Sequence, residues 1–130
     1  MDLQPLKLFE GYSDKELRNM AKSMKEVRHN AGTEIMVKGG SGVGFMIILE
    51  GNAEVHTPDG RIRELGPFDH FGEMALLDHE RRSATVIAKT DLRLAAVPEW
   101  SFEDFLKEHP DISIRLLKTL SRRLREAEAT

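Results

Sequence analysis

Apolar residues recur at two different periods along this chain. Leu17, Met20, Ala21 and Met24 are spaced as one face of a helix. Ser13 with Glu16 places a capping-box pattern in front of them. This predicts an N-terminal helix over about 13–25. From about 27 to 97 the pattern changes to short apolar runs separated by turn residues. The runs at 27–30, 33–37, 45–50, 53–57, 62–65, 84–88 and 92–97 are the expected strands. Pro58-Asp59-Gly60 supplies a hairpin turn between Thr57 and Arg61. Beyond Pro98 the helical period returns. Ser101 with Asp104 reads as a cap pair leading into Phe102, Phe105 and Leu106, and Pro110 ends that helix. Ile112, Leu116, Leu117, Leu120 and Leu124 stripe a last one, giving C-terminal helices over about 99–128. A helix, a small antiparallel barrel or sandwich at about 27–97, and two further helices make an α+β domain.

Composition narrows the function classes. The 130 residues suit one domain with a real core. A formal charge of −3 offers no basic field for duplex DNA. Residues 111–130 carry five Arg/Lys against three Asp/Glu, which reads as basic side chains favouring a helix C-terminus. The chain has no cysteine, so it has no disulfide framework, thiolate metal site or cysteine nucleophile. It shows no secretory signal and no apolar run of about 18 residues, so the expectation is a cytoplasmic protein that does not enter a membrane.

The stretch from Phe71 to Val86, FGEMALLDHERRSATV, carries the chemistry. Gly72 lets a ligand approach the backbone. Glu73-Met74-Ala75-Leu76-Leu77 are good helix formers, and the first N–H groups of a helical turn attract an anion. Arg82, nine residues after Glu73, begins an extended run and can grip the same anion bidentately. A carboxylate beside an anion site requires a hydrogen-bond donor of its own, for which a sugar hydroxyl is the natural candidate. One phosphate and one ribose hydroxyl together describe a cyclic nucleotide.

These residues resemble the phosphate-binding cassette of the cyclic-nucleotide-binding domain family, which includes catabolite activator proteins, regulatory subunits of cAMP-dependent protein kinase and cyclic-nucleotide-gated channels. The similarity extends through KGGSGVGFMIILEG from Lys38, LGPFDHFGE from Leu65, VPEWSFEDFLKEHP from Val97, and the final helix. It implies one cyclic-nucleotide-binding domain over 1–130, with a jelly-roll-type antiparallel β-barrel between its helices. It further implies that Glu73 accepts the ribose 2′-OH and that Arg82 pairs with the cyclic phosphate. Backbone N–H groups around Gly72, Glu73, Met74 and Ala75 complete the cradle, Ser83 adds a hydroxyl, and Ala84 follows at the start of the next strand. The implied ligand is cAMP, with cGMP as the competitor because Ser83 can meet a guanine amino group. The implied role is a regulatory or sensor module that passes binding to its C-terminal helix, with no catalysis and no direct nucleic-acid contact. Pairing of that helix with a second subunit and attachment to an effector domain outside the chain both stay open. The rival is a structural module with the same barrel and no nucleotide.

Other motifs carry less. Gly39-Gly40-Ser41-Gly42-Val43-Gly44 is followed by Phe45-Met46 where a P-loop needs Lys and Ser/Thr, so it reads as a hairpin connection. His70, Glu73 and His79 lack the His-x-His pattern of a cupin-like metal site, and isolated loop histidines are expected in solvent. No G-x-S-x-G elbow accompanies Ser41 or Ser83. Ile62 and Leu65 are the expected wall for the purine, and Trp100 is expected to pack at a helix entry. Pro67-Phe68-Asp69 stands where the family often has Gly-Asp. A left-handed phenylalanine costs about 1–2 kcal/mol, so this turn is expected to depart from the family's.

Overall fold

The computed structural model describes residues 1–36, 44–73 and 84–129. A 3-10 turn at Lys7–Phe9 precedes α1 (Asp14–Ala21). The strands are β1 (Lys25–His29), β2 (Glu34–Met36), β3 (Gly44–Glu50), β4 (Ala53–His56), β5 (Ile62–Leu65), β6 (His70–Phe71), β7 (Thr85–Ala88) and β8 (Leu92–Pro98). Helices α2 (Glu99–Glu108) and α3 (Pro110–Glu128) follow. The strands form two four-stranded antiparallel sheets, ordered β1-β8-β3-β6 and β2-β7-β4-β5. This is a jelly-roll β-sandwich with flanking helices.

The apolar runs in β3 and β8 follow from their position between two cores. Side chains alternate along a strand. Phe45, Ile47, Ala95 and Val97 therefore face the helices, where they pack with Leu6, Phe9, Met20, Phe102, Phe105, Ile112 and Leu116. Met46, Ile48, Leu94 and Ala96 face the opposite sheet, where Val55, Leu65 and Val86 meet them, and Phe71 of their own sheet joins the cluster. One face of this layer thus holds the helices and the other fills the sandwich.

Local rules set the boundaries. Ser13 Oγ accepts from the Glu16 N–H at 3.2 Å, and Glu16 Oε1 accepts from the Ser13 N–H at 3.1 Å, completing the capping box. The helix stops at Ala21, short of 25, because Lys25 already pairs with Ala96 in the sheet. Met24 is still buried. The expected hairpin turn forms, with the Thr57 N–H donating to Arg61 O at 2.9 Å. Ser101 does not cap α2. Pro98, at φ −59°, closes β8 and opens the helix, and the Ser101 hydroxyl turns back to Pro98 O at 3.2 Å. Trp100 does not pack at the helix entry either: it is 79% exposed, with Lys25 Nζ 5.9 Å from its ring centre.

The leucine stripe of α3 divides in two. Ile112 and Leu116 are buried, whereas Leu117 and Leu124 face solvent. Arg115 docks this helix onto the N-terminal segment, donating to the carbonyls of Leu8 and Glu10 at 2.6 Å each. Among the described residues, no helix is long and apolar enough to cross a membrane.

Candidate functional site

The site is built on a short return strand. The Phe68 N–H donates to Ile48 O at 2.7 Å, and Ile48 N–H donates to Asp69 O at 2.8 Å, drawing this segment onto the edge of β3. The turn leading in is Gly66-Pro67-Phe68-Asp69, closed by the Asp69 N–H on Gly66 O at 3.1 Å. Proline presets the second position of such a turn, and the third takes a positive φ when the turn is type II. Phe68 occupies that third position at φ 77° and is the only non-glycine residue with positive φ among the described residues. Phe68 thus adopts the left-handed region in spite of the cost on which the expectation of a departing turn rested. The Gly66-Asp69 bond and the two bonds to β3 outweigh its cost.

After β6, Gly72 turns the chain at φ 95°, a conformation that suits glycine. Glu73 then takes up helical backbone and is carried inward to 1% exposure. Its Oε1 accepts from Arg123 Nη1 at 2.9 Å. Arg123 Nη2 reaches toward His70 O at 3.5 Å. His70 Nδ1 lies 3.6 Å from the same Oε1, an electrostatic contact beyond hydrogen-bonding range. The other carboxylate oxygen, Oε2, is buried with no hydrogen-bond partner among the described residues. Burial pushes the Glu73 carboxyl up. His70, the backbone N–H of Glu73 itself and Arg123 outweigh it, so the group sits below the usual carboxylate range and is ionised at neutral pH. Burial makes an acceptor left bare in this way costly.

A further cation approaches from β5. Arg63 shares a strand face with Leu65 and pairs in register with Val55. Desolvation lowers its pKa and repulsion from Arg123 adds to this, while Glu73, Asp69 and Glu126 oppose. The Glu73 carboxylate thus has one arginine and one histidine in contact with it, and its charge also acts on Arg63.

The structure brings Gly72 and Glu73 together at this corner, with Ala84 half-buried at the start of β7. Met74, Ala75, Arg82 and Ser83 lie outside the described residues, as do Arg81 and His79. Ile62 and Leu65 do not form one wall. They lie three apart on a strand and point to opposite faces: Leu65 is buried inside the sandwich and Ile62 is 57% exposed. His70 is buried rather than solvated, its ring 5.4 Å from that of Phe45. Among the described residues, no group of three metal-ligating side chains is present. Sequence reading missed Arg123, Arg63 and His70 as neighbours of Glu73. Only the parity of Arg63 with Leu65 on β5 carried any signal. Arg123 lies fifty positions from its partner, so no local pattern joins them.

The chain is 28% identical over 123 residues to a CRP-like cAMP-activated global transcriptional regulator of Mycobacterium tuberculosis, covering 91% of this chain and 55% of that protein. It therefore spans about half the length of that relative. The catabolite activator protein of Thermus thermophilus superposes with a TM-score of 0.83 at 29% identity, over 94% of this chain and 60% of that one. The regulatory domain of Toxoplasma gondii PKA, solved with cAMP, gives 0.78 at 25% identity, over 92% and 47%. The family model described as the cyclic nucleotide-binding domain matches residues 26–109, more than half of the chain. With the jelly-roll fold and the glycine–glutamate corner, this match establishes that the chain belongs to the cyclic nucleotide-binding domain family.

Proposed function

We propose that this chain is a regulatory module that binds cAMP and reports its occupancy through α3. The observation that carries the reading is the bare, buried Oε2 of Glu73, whose sister oxygen is held by a side chain of the last helix. In a 3′,5′-cyclic nucleotide both neighbouring sugar oxygens are esterified, so the 2′-OH is the one free hydroxyl. A buried carboxylate oxygen without a donor suits that hydroxyl. Arg82 and Ser83 are assigned to the cyclic phosphate, with the N–H groups of Glu73, Met74 and Ala75 beside it. No catalytic step is assigned to any residue.

Coupling follows from the shared carboxylate. A ligand shifts a conformational equilibrium only through different contacts in the two states. A ribose hydroxyl at Oε2 adds a hydrogen bond to the carboxylate that Arg123 holds at Oε1 and so weakens its pull on that arginine, through which α3 feels occupancy directly. The exposed Leu117 and Leu124 on that helix are available to a second subunit or to an effector segment. The cAMP named for the mycobacterial and Toxoplasma relatives supports adenine, and the cGMP-dependent protein kinase of Eimeria tenella, 40% identical over 83 residues, keeps cGMP as the competitor.

Calorimetric titration with cAMP and cGMP tests the reading. Wild type binds cAMP more tightly, and Arg82→Ala loses about 2–5 kcal/mol of binding, roughly 30-fold to several thousandfold in Kd. Absence of binding by wild type, or near-normal titration by the variant, refutes it. Preference for cGMP reverses the choice of base.

A further inference from the structure

A cavity bordering the Gly72–Glu73 corner, with which it shares Arg123 and His70, opens between the 3-10 turn, the Gly66–Asp69 turn and α3. Its volume is about 530 Å³, within the range of small-molecule sites. Five cations line it against two carboxylates. Two of the five are committed elsewhere: Arg115 holds the Leu8 and Glu10 carbonyls, and Arg123 holds Glu73. One carboxylate is also engaged, since Asp69 Oδ2 accepts from the Gly66 N–H at 2.8 Å.

Three cations remain for the cavity itself. Lys7 and Lys118 make no ion pair or side-chain hydrogen bond among the described residues. Arg122 reaches Glu126 only at 3.9 Å, with both side chains largely in water, a contact of little strength. Among the described residues, Glu10 and Asp69 are the carboxylates that oppose these cations within the cavity, leaving it with an excess of positive charge. Like charges on separate elements around one space repel unless an anion of higher charge lies between them.

Phe68 supplies the other half of the recognition. It lines the same cavity, is 45% exposed, and is held in the left-handed region that phenylalanine normally avoids. The sandwich core gains little from so open a ring. A residue kept in a costly conformation points toward a use at a binding site. A flat aromatic surface beside three cations suits a ligand with a planar ring and several negative charges.

We infer that this cavity is a second ligand site, for a nucleoside polyphosphate whose phosphates lie among Lys7, Lys118 and Arg122 and whose base packs on Phe68. Its phosphate and base contacts are separate from the groups assigned to the cyclic nucleotide, although Lys118 and Arg122 stand on the same helix, α3, that carries Arg123 to Glu73.

The test is calorimetric titration of the full chain with tripolyphosphate and with ATP at physiological salt, with amide chemical shifts followed by NMR. Wild type binds both, with shifts at Lys7, Phe68 and Lys118. ATP binds about two- to tenfold more tightly through its base. The double variant Lys7→Ala/Lys118→Ala, two surface changes that leave the cores intact, weakens both ligands by about tenfold. Phe68→Asn, which tolerates the left-handed turn, removes the advantage of ATP over tripolyphosphate. Arg82→Ala retains both affinities. The inference is overturned if neither probe binds at about 1 mM, the weak end of ligand affinities. It is equally overturned if the double variant binds both as wild type does, or if Arg82→Ala abolishes their binding and so places them in the cassette.

Discussion

Replacing Arg123 with alanine removes the one hydrogen bond between α3 and the Glu73 carboxylate. The Glu73 side chain is 2% exposed and that of Arg123 22%, so the pair is largely withdrawn from water. Removing one partner of a buried pair costs about 3–5 kcal/mol when the remaining charge is stranded. Here Glu73 keeps His70 at 3.6 Å, and the space left by Arg123 admits solvent. The expected loss is accordingly smaller, about 2 kcal/mol, which lowers Tm by about 6–10 °C in a domain of this size. Urea unfolding of wild type, Arg123→Ala, Glu73→Gln and the double variant measures it, with a coupling of about 1–2 kcal/mol between the two sites. The pH dependence has a definite sign. The folded Glu73 pKa is held below its unfolded value. The contribution is therefore fully present above the ordinary carboxylate pKa of about 4.3 and disappears as pH falls through the folded value. The gap between wild type and Arg123→Ala should thus shrink below about pH 4. If the single losses add within about 0.5 kcal/mol, or the gap is equally large in acid, Arg123 does not act through Glu73.

Three further outcomes follow. Arg115→Ala strands the carbonyls of Leu8 and Glu10 and should cost about 2 kcal/mol in urea unfolding, with faster hydrogen exchange across residues 3–12; unchanged exchange there means α3 is docked by its apolar face alone. Gly72→Ala forces a side chain into φ 95° and should cost about 1–2 kcal/mol while weakening cAMP, whereas retained affinity in calorimetry separates the turn from the site. Saturating cAMP should change hydrogen-exchange protection in residues 111–125 as well as around Glu73, and changes confined to the latter make α3 a passive packing element.

Much of the fold was legible because its signals are local. The capping box at Ser13 and Glu16, the Pro58-Asp59-Gly60 turn and the alternation within the strands each lie within a few residues. The 3-10 turn was not legible, since Leu3, Leu6, Leu8 and Phe9 follow neither period and are buried only because helices α1 and α3 close over them. Strand β6 has two residues and takes its identity from β3, to which it is bonded. At the site, Gly72 and Glu73 announce themselves through a turn residue beside a lone carboxylate. The error at Ile62 and Leu65 was one of parity: positions three apart on a strand cannot share a face, and Arg63 is the residue that shares one with Leu65. Arg123 becomes a neighbour of Glu73 only once the last helix has returned across the sandwich, whereas His70 stands three residues before Glu73. Phe68 went the other way, since the intrinsic cost of a left-handed phenylalanine was legible but the two bonds to β3 that overcome it were not.

The most direct test of the central claim compares cAMP with its 2′-deoxy analogue on wild type and on Glu73→Ala by calorimetry. A hydrogen bond to a charged acceptor is worth about 1.5–3 kcal/mol, so the analogue should bind wild type roughly 10- to 150-fold more weakly. In Glu73→Ala, where the acceptor is gone, the two ligands should bind equally, because the variant and the analogue remove the same contact. Equal binding of both ligands by wild type, or an undiminished preference for cAMP in the variant, would contradict the assignment of the bare Glu73 oxygen to the ribose hydroxyl.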